Sequence, residues 1–366
     1  MEKQLTSNQI SRIVIITSLG LKISVLPAFM ASVAGNDFWI TAAGVFIMEI
    51  FTFLFVLKNA EKVPGKTFFK IIEENLGKWV MKIIQIIFVL FFLFKTVLSI
   101  YESGLFVKYA IYEDFNEIIF LFIFSLFLLF FVRSNLRTIG RAAEIMIFIA
   151  VSASIISLMV SVLEIDPTEI LPVMTKGVKP LISCAGKSSF WFGDYLIFLL
   201  MMGNVKFEKN SVRRTVVSYV MMSVILVLFF ITFACLFKNT MNVHMTAVSD
   251  VSHYIPRFSD FRLDWVSDIL WIFVCFFSSG VWFFCFKWSF DELFDIKSNS
   301  LIVPVVFCIC VIVFIYFLKI PVTRYVEFLS DYGWVIAAIM SQLPVMFFVC
   351  FKIGKRRKYY ANVLKE

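Results

Sequence analysis

The sequence predicts an all-α membrane protein of about ten transmembrane helices, in a 5+5 inverted-repeat transporter fold with helices 1 and 6 broken. Hydrophobic residues make up 60% of the 366 residues, whereas a soluble domain contains about 45–50%. They form ten stretches of roughly twenty residues, the length that a helix needs to cross about 30 Å of hydrocarbon. Two of these stretches are interrupted, at corresponding positions in the two halves.

The apolar stretches are predicted to be helices rather than barrel strands, because their apolar character is long and continuous. A helix also bonds its own backbone groups inside the bilayer. The connecting segments are short, so residues 1–366 are expected to form a single membrane domain. The predicted spans are 10–32, 38–57, 79–103, 118–132, 143–162, 188–203, 215–237, 264–286, 300–318 and 334–353.

Lys and Arg are distributed unevenly among the connecting segments. With the N-terminus inside, they concentrate in inner segments such as 58–78, 133–141, 206–214 and the tail 352–358. Basic residues collect in cytoplasmic loops, so both termini are predicted to face the cytoplasm. The same rule accounts for the net charge of +8. The lipid bilayer is therefore the expected partner, and nucleic acid is not.

The ten spans divide into two groups of five, about 10–162 and 188–353. Because five is odd, the second group has the opposite orientation to the first. The apolar pattern breaks at 20–27 in span 1 and at 192–195 in span 6, the first span of each group. Interrupted helices at matched positions indicate a transporter-type binding site near the middle of the membrane. The alternative is that Gly20 and Pro27 only kink a packed helix.

Ionisable residues inside the predicted spans mark the same region. A charge at the bilayer centre costs several kcal/mol and is a functional candidate by default. Lys22 lies roughly 18 Å into span 1 and Glu49 roughly 16 Å into span 2, at 1.5 Å per residue. These depths allow an ion pair, and each charge could instead be purely structural. Glu102 and Glu144 are expected near the interfaces, where a charge is inexpensive. The predicted ligand-binding residues are Gly20, Lys22, Ser24, Lys95, Phe192, Gly193, Asp194, Ser278 and Ser279, with Glu49 as a candidate ion-pair partner.

No metal site, cofactor or enzymatic activity is predicted. The seven cysteines include no CxxC pair and lie mostly within spans, where they are expected to pack as small apolar residues. The only two histidines, His244 and His253, are expected to be exposed in one outer loop. No serine-hydrolase, zinc-protease, phosphate-loop or dinucleotide-binding motif occurs at a suitable place.

Short motifs in a characteristic order run through most of the chain. They are Leu5–Ile10 before span 1, Pro27, Ala34–Trp39, Val63–Thr67, Asn75–Trp79, Gly140–Glu144, Pro172, Gly177, Pro180 and Phe192–Asp194. This combination resembles the spore-germination permease family, the B subunits of germinant receptors within the amino acid–polyamine–organocation superfamily.

The resemblance implies a ten-helix inverted-repeat permease in the inner membrane of a bacterial spore. It also implies an amino acid or similar small nutrient as ligand, and A-type and C-type receptor subunits as partners. Two residues depart from the family pattern: Lys22 replaces a small residue in the span 1 break, and Asp194 replaces a glutamate. Lys22 could replace a coupling cation, bind a ligand carboxylate or occupy the site itself. A proton- or cation-coupled amino acid transporter and a ligand-blind structural subunit remain the alternative functions.

Overall fold

The computed structural model describes residues 4–110, 116–162, 165–174, 176–244, 246–254, 263–296, 301–318 and 322–363. Within these ranges nearly all of the chain is helical, and six helices are long and apolar enough to cross a membrane. The prediction of an all-α membrane protein is therefore confirmed, while the count of ten spans stays a prediction. The six helical segments are Leu26–Ala60, Lys78–Ala110, Leu136–Met159, Ser211–Val243, Asp264–Phe294 and Ser330–Ile353, and two shorter apolar helices cover Ile118–Val132 and Ile302–Ile312. Leu26–Ala60 includes a 3₁₀ turn at Gly35–Asp37, and Ser211–Val243 ends in one.

The described part of the first half contains one short strand and seven α-helices. A capping box starts the first helix: the Thr6 hydroxyl accepts the Gln9 N–H, and the Gln9 side chain accepts the Thr6 N–H. The elements are β1 (Leu5–Thr6), α1 (Ser7–Lys22), α2 (Leu26–Ala34), α3 (Phe38–Ala60), α4 (Phe68–Leu76), α5 (Lys78–Ala110), α6 (Glu117–Val132) and α7 (Leu136–Val162).

The second half again begins with short elements and continues with long helices. The elements are α8 (Val178–Lys187), a 3₁₀ turn (Ser188–Trp191), α9 (Tyr195–Met201), β2 (Val205–Lys206), α10 (Ser211–Phe237), a second 3₁₀ turn (Lys238–Val243), α11 (Ala247–His253), α12 (Leu263–Phe294), α13 (Ile302–Leu318) and α14 (Val322–Val363).

Both interruptions predicted from the apolar pattern are breaks in helical structure. Residues 23–25 are not helical, and they separate α1 from α2. In the second half, the extended backbone at Phe192 and the positive φ of +94° at Gly193 separate the 3₁₀ turn from α9. Pro27 lies in the first turn of α2, where its missing N–H costs no hydrogen bond.

The helical segment that leads to the second break is longer than the sequence predicts. The predicted span begins at 188, whereas α8 begins at Val178. Only one side of α8 is apolar and buried, at Leu181 and Cys184, while Val178 and Ile182 are exposed. A window that searches for continuous apolar residues therefore misses this helix. The helix α14 is also longer than its predicted span, because its helical structure continues through the charged residues on both sides.

The helix α1 lies at the centre of the molecule and is buried along most of its length. It packs against α7, α10 and α12, while α5 and α12 form the most extensive helix pair. The strands β1 and β2 pair in parallel, with Leu5 opposite Val205, so the start of α1 is tied to the segment that follows α9. This arrangement places the broken ends of α1 and α9 close together inside the protein.

Candidate functional site

Lys22 joins the two breaks through a buried ionic cluster. Its Nζ donates to Glu49 Oε2 over 2.8 Å and to Asp194 Oδ2 over 2.6 Å. The side chains of Lys22 and Asp194 are fully buried, and that of Glu49 is almost so. Three distant parts of the sequence therefore meet at one ammonium group. Two carboxylates and additional hydrogen bonds offset the cost of removing this charge from water.

The helix ends favour this distribution of charge. Lys22 is the last residue of α1, where the helix dipole favours a cation. Asp194 immediately precedes α9, where the dipole favours an anion. The ion pair therefore joins the C-terminal end of one helix to the N-terminal end of another.

Glu49 also holds the backbone of the second break. Its Oε1 accepts the N–H of Gly193 over 2.8 Å and the N–H of Asp194 over 3.1 Å. Glu49 thus uses one oxygen for Lys22 and the other for two backbone donors that the irregular backbone leaves outside a helix. A Cβ atom at Gly193 would lie 3.2 Å from Phe91 Cζ, so both the positive φ and the close packing favour glycine here.

Aromatic rings form the apolar walls around Lys22. Its Nζ lies 4.5 Å from the ring centroid of Phe192 and 5.2 Å from that of Phe46. The two rings meet edge to face, with their centroids 5.4 Å apart. A cation near the faces of aromatic rings is attracted by their quadrupoles. The rings therefore exclude solvent and also favour the positive charge.

Lys95 extends the cluster from α5, with a different set of contacts. Its Nζ is fully buried, and the carboxylate oxygen paired with it is Asp194 Oδ1 at 3.9 Å. Neither Lys95 Nζ nor Asp194 Oδ1 makes a hydrogen bond within the described part of the chain. Lys95 also lies over the ring of Trp282, 4.8 Å from its centroid, and near Phe91 at 5.5 Å. Lys95 is therefore stabilised by aromatic rings and a distant carboxylate rather than by hydrogen bonds.

The small predicted residues lie at the contact between α1 and α12. A Cβ atom at Gly20 would lie 2.7 Å from Ser278 Cβ, so the two helices approach closely at this point. The Ser278 hydroxyl donates to the carbonyl oxygen of Thr17 over 3.0 Å. Ser279 Oγ lies 2.6 Å from Ser99 Oγ and joins α12 to α5. The contacts of Ser278 and Ser279 thus join helices, as small polar residues do in membranes.

Ser24 lies within the first break and is buried. Its carbonyl oxygen accepts the N–H of Ala247 over 3.1 Å, from the start of α11. The structure thus places Lys22, Lys95, Phe192, Gly193, Asp194 and Glu49 in one cluster, with Ser24 in the first break and Gly20, Ser278 and Ser279 at adjoining helix contacts.

Sequence reasoning misses a third buried carboxylate, near the two in the cluster. Glu102, expected at the membrane interface, is buried, and its Oε1 accepts the indole N–H of Trp191 over 2.7 Å. Trp191 in turn stacks on Phe29 of α2, with ring centroids 4.9 Å apart, and this contact holds the 3₁₀ turn before the second break. Glu102 lies seven positions after Lys95 on α5, about two helical turns, so the two residues share one face. This spacing is the signal in the sequence that points to Glu102.

The expectation of two exposed histidines holds for His253, whereas His244 is only partly exposed. The side chain of His244 is 26% exposed, because its ring packs on Phe237 with centroids 3.9 Å apart. Its Nδ1 lies 3.4 Å from Asp250 Oδ2. His253 is exposed at one edge, and its Nε2 lies 3.3 Å from Asp268 Oδ2. Both contacts arise because α11, which the sequence assigns to a loop, folds back onto the long helices.

Comparisons with known proteins find relatives of one kind. Residues 4–320 match the model of a family described as "Spore germination protein". The chain is 21% identical over 233 residues to spore germination protein KB of Bacillus subtilis (strain 168), and the match covers 62% of each chain. It is 20% identical over 232 residues to spore germination protein YndE of the same strain, covering 62% of this chain and 64% of that protein. The matched region thus spans less than two thirds of either relative.

Proposed function

Because the chain belongs to the spore germination permease family, we propose that it is the nutrient-sensing, permease-like subunit of a germination receptor. Its proposed ligand is an amino acid or a similar small nutrient, bound between the two helix breaks, and no enzymatic step is involved. The family match and the buried ionic cluster support this proposal. The proposed partners are A-type and C-type receptor subunits and the lipid bilayer.

The observation that carries the proposal is the pairing of Lys95 Nζ with Asp194 Oδ1. One is a hydrogen-bond donor and the other an acceptor, both are fully buried, and they lie 3.9 Å apart. A zwitterion such as an amino acid carries a carboxylate and an ammonium group on one carbon atom. Its carboxylate would bind Lys95 and its ammonium group would bind Asp194, so each buried charge would gain a hydrogen-bonded partner.

Lys22 serves as a built-in cation in this proposal. Its ammonium group already bonds both Glu49 and Asp194. It therefore supplies one positive charge to the two carboxylates at the breaks, as a coupling ion would in a transporter. A permanently attached cation cannot cross the membrane, so this contact favours a sensor over a cation-coupled transporter.

The proposed architecture has ten spans in two inverted repeats. The α1–α2 pair is the broken span 1, and the segment from α8 to α9 is the broken span 6. The repeats cover about 10–162 and 188–353, with the second extended back to Val178 by α8. The proposal has both termini in the cytoplasm and the whole single domain, 1–366, in the inner membrane of a spore.

The test is a comparison of Lys95→Met with Lys82→Met, two changes on the same helix. Lys82 lies near one end of α5, where its Nζ donates to the Leu293 carbonyl oxygen over 2.5 Å. We expect Lys95→Met spores to contain a normal amount of the protein but to lose germination on the nutrients that the wild type recognises. Lys82→Met spores should germinate on those nutrients.

Two results would count against the proposal. A Lys95→Met protein of normal abundance and unchanged nutrient response would exclude the assigned role of Lys95. A deletion strain that germinates normally on all nutrients but loses amino acid uptake would favour a transporter.

A further inference from the structure

A short helix, α11, covers the break in span 1. Its first residue, Ala247, donates its N–H to the carbonyl oxygen of Ser24 over 3.1 Å. Ser24 is one of the non-helical residues between α1 and α2, so α11 is attached directly to the break. Val248 and Val251 are buried where α11 packs against α5, α7 and α12.

His253 holds the other end of α11. Its Nε2 lies 3.3 Å from Asp268 Oδ2 and 3.5 Å from Asp264 Oδ2, both on α12. Its Nδ1 lies 2.9 Å from Ser249 Oγ. The Asp268 side chain is only 3% exposed. One imidazole therefore faces two carboxylates, which attract its protonated form, while the Ser249 hydroxyl can either accept from or donate to Nδ1.

Other titratable groups lie on the elements around α11. His244 faces Asp250 of α11, as described above, and burial raises the pKa of the Asp250 carboxyl. The helix α5, which also packs against α11, carries Glu102 and Lys108 in its second half. The carboxylates in contact with the two imidazoles are those of Asp250, Asp264 and Asp268.

Neutral polar groups also make contacts at this junction. Ser157 Oγ of α7 lies 3.0 Å from Ser267 Oγ, and Ser252 Oγ of α11 lies 3.1 Å from the same atom. The indole N–H of Trp271 donates to Ser157 over 3.2 Å. These contacts join α7, α11 and α12, and they carry no charge that changes with pH.

We propose that α11 is a pH-sensitive cover over the span 1 break, with His253 as its latch. Histidine is the side chain whose charge normally changes between pH 5 and 8. When His253 is protonated, its positive charge attracts Asp264 and Asp268 and holds α11 against α12. As the pH rises and the proton leaves, this attraction is lost and α11 separates more often from Ser24. Control of ligand access by this movement rests on the proposed function, whereas the movement itself does not.

The test measures access to a cysteine beneath α11, and it needs no ligand. Ser24→Cys would be treated with a charged, water-soluble thiol reagent in membrane fragments that expose both faces. Thiol reactivity itself increases with pH, because the thiolate is the reactive form. The labelling rate of Ser24→Cys would therefore be divided by the labelling rate of Asn239→Cys, because Asn239 is exposed. The protein without either substitution gives the background labelling.

We expect the corrected rate to increase about three- to tenfold from pH 5.5 to pH 8, as one partly exposed ion-pair contact is lost. His253→Gln, which has no positive charge, should give a high corrected rate at both pH values. His253→Arg, which keeps a positive charge, should give a low corrected rate at both. Asp268→Asn should reduce the pH response without altering the latch residue. His244→Gln, the matched control, should retain the full response.

Three outcomes would overturn the proposal. They are a corrected rate that does not change with pH, a His253→Gln protein that keeps the pH response, and a response lost in His244→Gln instead. None of them bears on nutrient binding, so failure of the latch is distinguishable from failure of the proposed function.

Discussion

Replacing Lys22 with methionine removes one charge from the buried cluster and keeps the length of the side chain. The wild-type cluster contains two ammonium groups, Lys22 and Lys95, and two carboxylates, Glu49 and Asp194. Lys22→Met removes the hydrogen bonds of 2.8 Å to Glu49 and 2.6 Å to Asp194. The remaining cation, Lys95, does not replace them, because its Nζ lies 3.9 Å from Asp194 Oδ1 and makes no hydrogen bond within the described residues. Breaking a buried ion pair costs about 3–5 kcal/mol. The ratio of folded to unfolded protein should therefore decrease roughly a hundredfold to several thousandfold.

A second change should restore much of this loss. Glu49→Gln removes the excess negative charge, and its remaining oxygen can still accept the N–H groups of Gly193 and Asp194. The Lys22→Met/Glu49→Gln protein should thus be more stable than Lys22→Met alone. The coupling between the two sites should be in the range of about 0.5–3 kcal/mol measured for contacting residues.

The assay is the membrane abundance of each variant, combined with its thermal aggregation temperature in detergent. We expect wild type to be most stable, the double variant intermediate and Lys22→Met least stable. If Lys22→Met had wild-type abundance and thermal stability, the cluster would not depend on this ion pair. If the double variant were less stable than either single variant, charge balance would not explain the result.

Two glycine substitutions test the backbone around the cluster. Gly193→Ala should destabilise the protein by about 1–3 kcal/mol, because the residue has a positive φ and a Cβ would contact Phe91; wild-type thermal stability would contradict this. Gly20→Ala should cost a similar amount, about 1–3 kcal/mol for overpacking, since its Cβ would lie 2.7 Å from Ser278 Cβ. Ser278→Gly should relieve that contact, and a double variant no more stable than Gly20→Ala would refute the packing argument.

The sequence indicates how deep in the membrane a residue lies. It indicates less well in which direction the side chain points. Counting residues along each span places Lys22 and Glu49 at a similar level, and the two are in contact. The rotation of each helix is set by packing among side chains from distant segments, which one sequence does not specify. Ser278 illustrates this limit, because its hydroxyl donates to a carbonyl oxygen of α1.

The short helices α8 and α11 are the elements that sequence reasoning misses. Both contain too few consecutive apolar residues to resemble spans. The helix α8 has one buried face, whereas five of the seven residues of α11 are buried. Their packing cannot be inferred from hydropathy alone. The helix α11 matters most, since its contacts with Ser24 and α12 are the basis of the proposed latch.

The most direct test of the central claim is the binding of a germination-active amino acid to the purified protein. Its affinity would be compared with those of its amide, which lacks the carboxylate, and its N-acetyl derivative, which lacks the ammonium group. We expect the wild type to bind the amino acid and to lose at least about tenfold affinity for either derivative, about 1.4 kcal/mol. Lys95→Met should no longer distinguish the amino acid from its amide. Equal binding of all three compounds to the wild type would contradict a zwitterion held between Lys95 and Asp194.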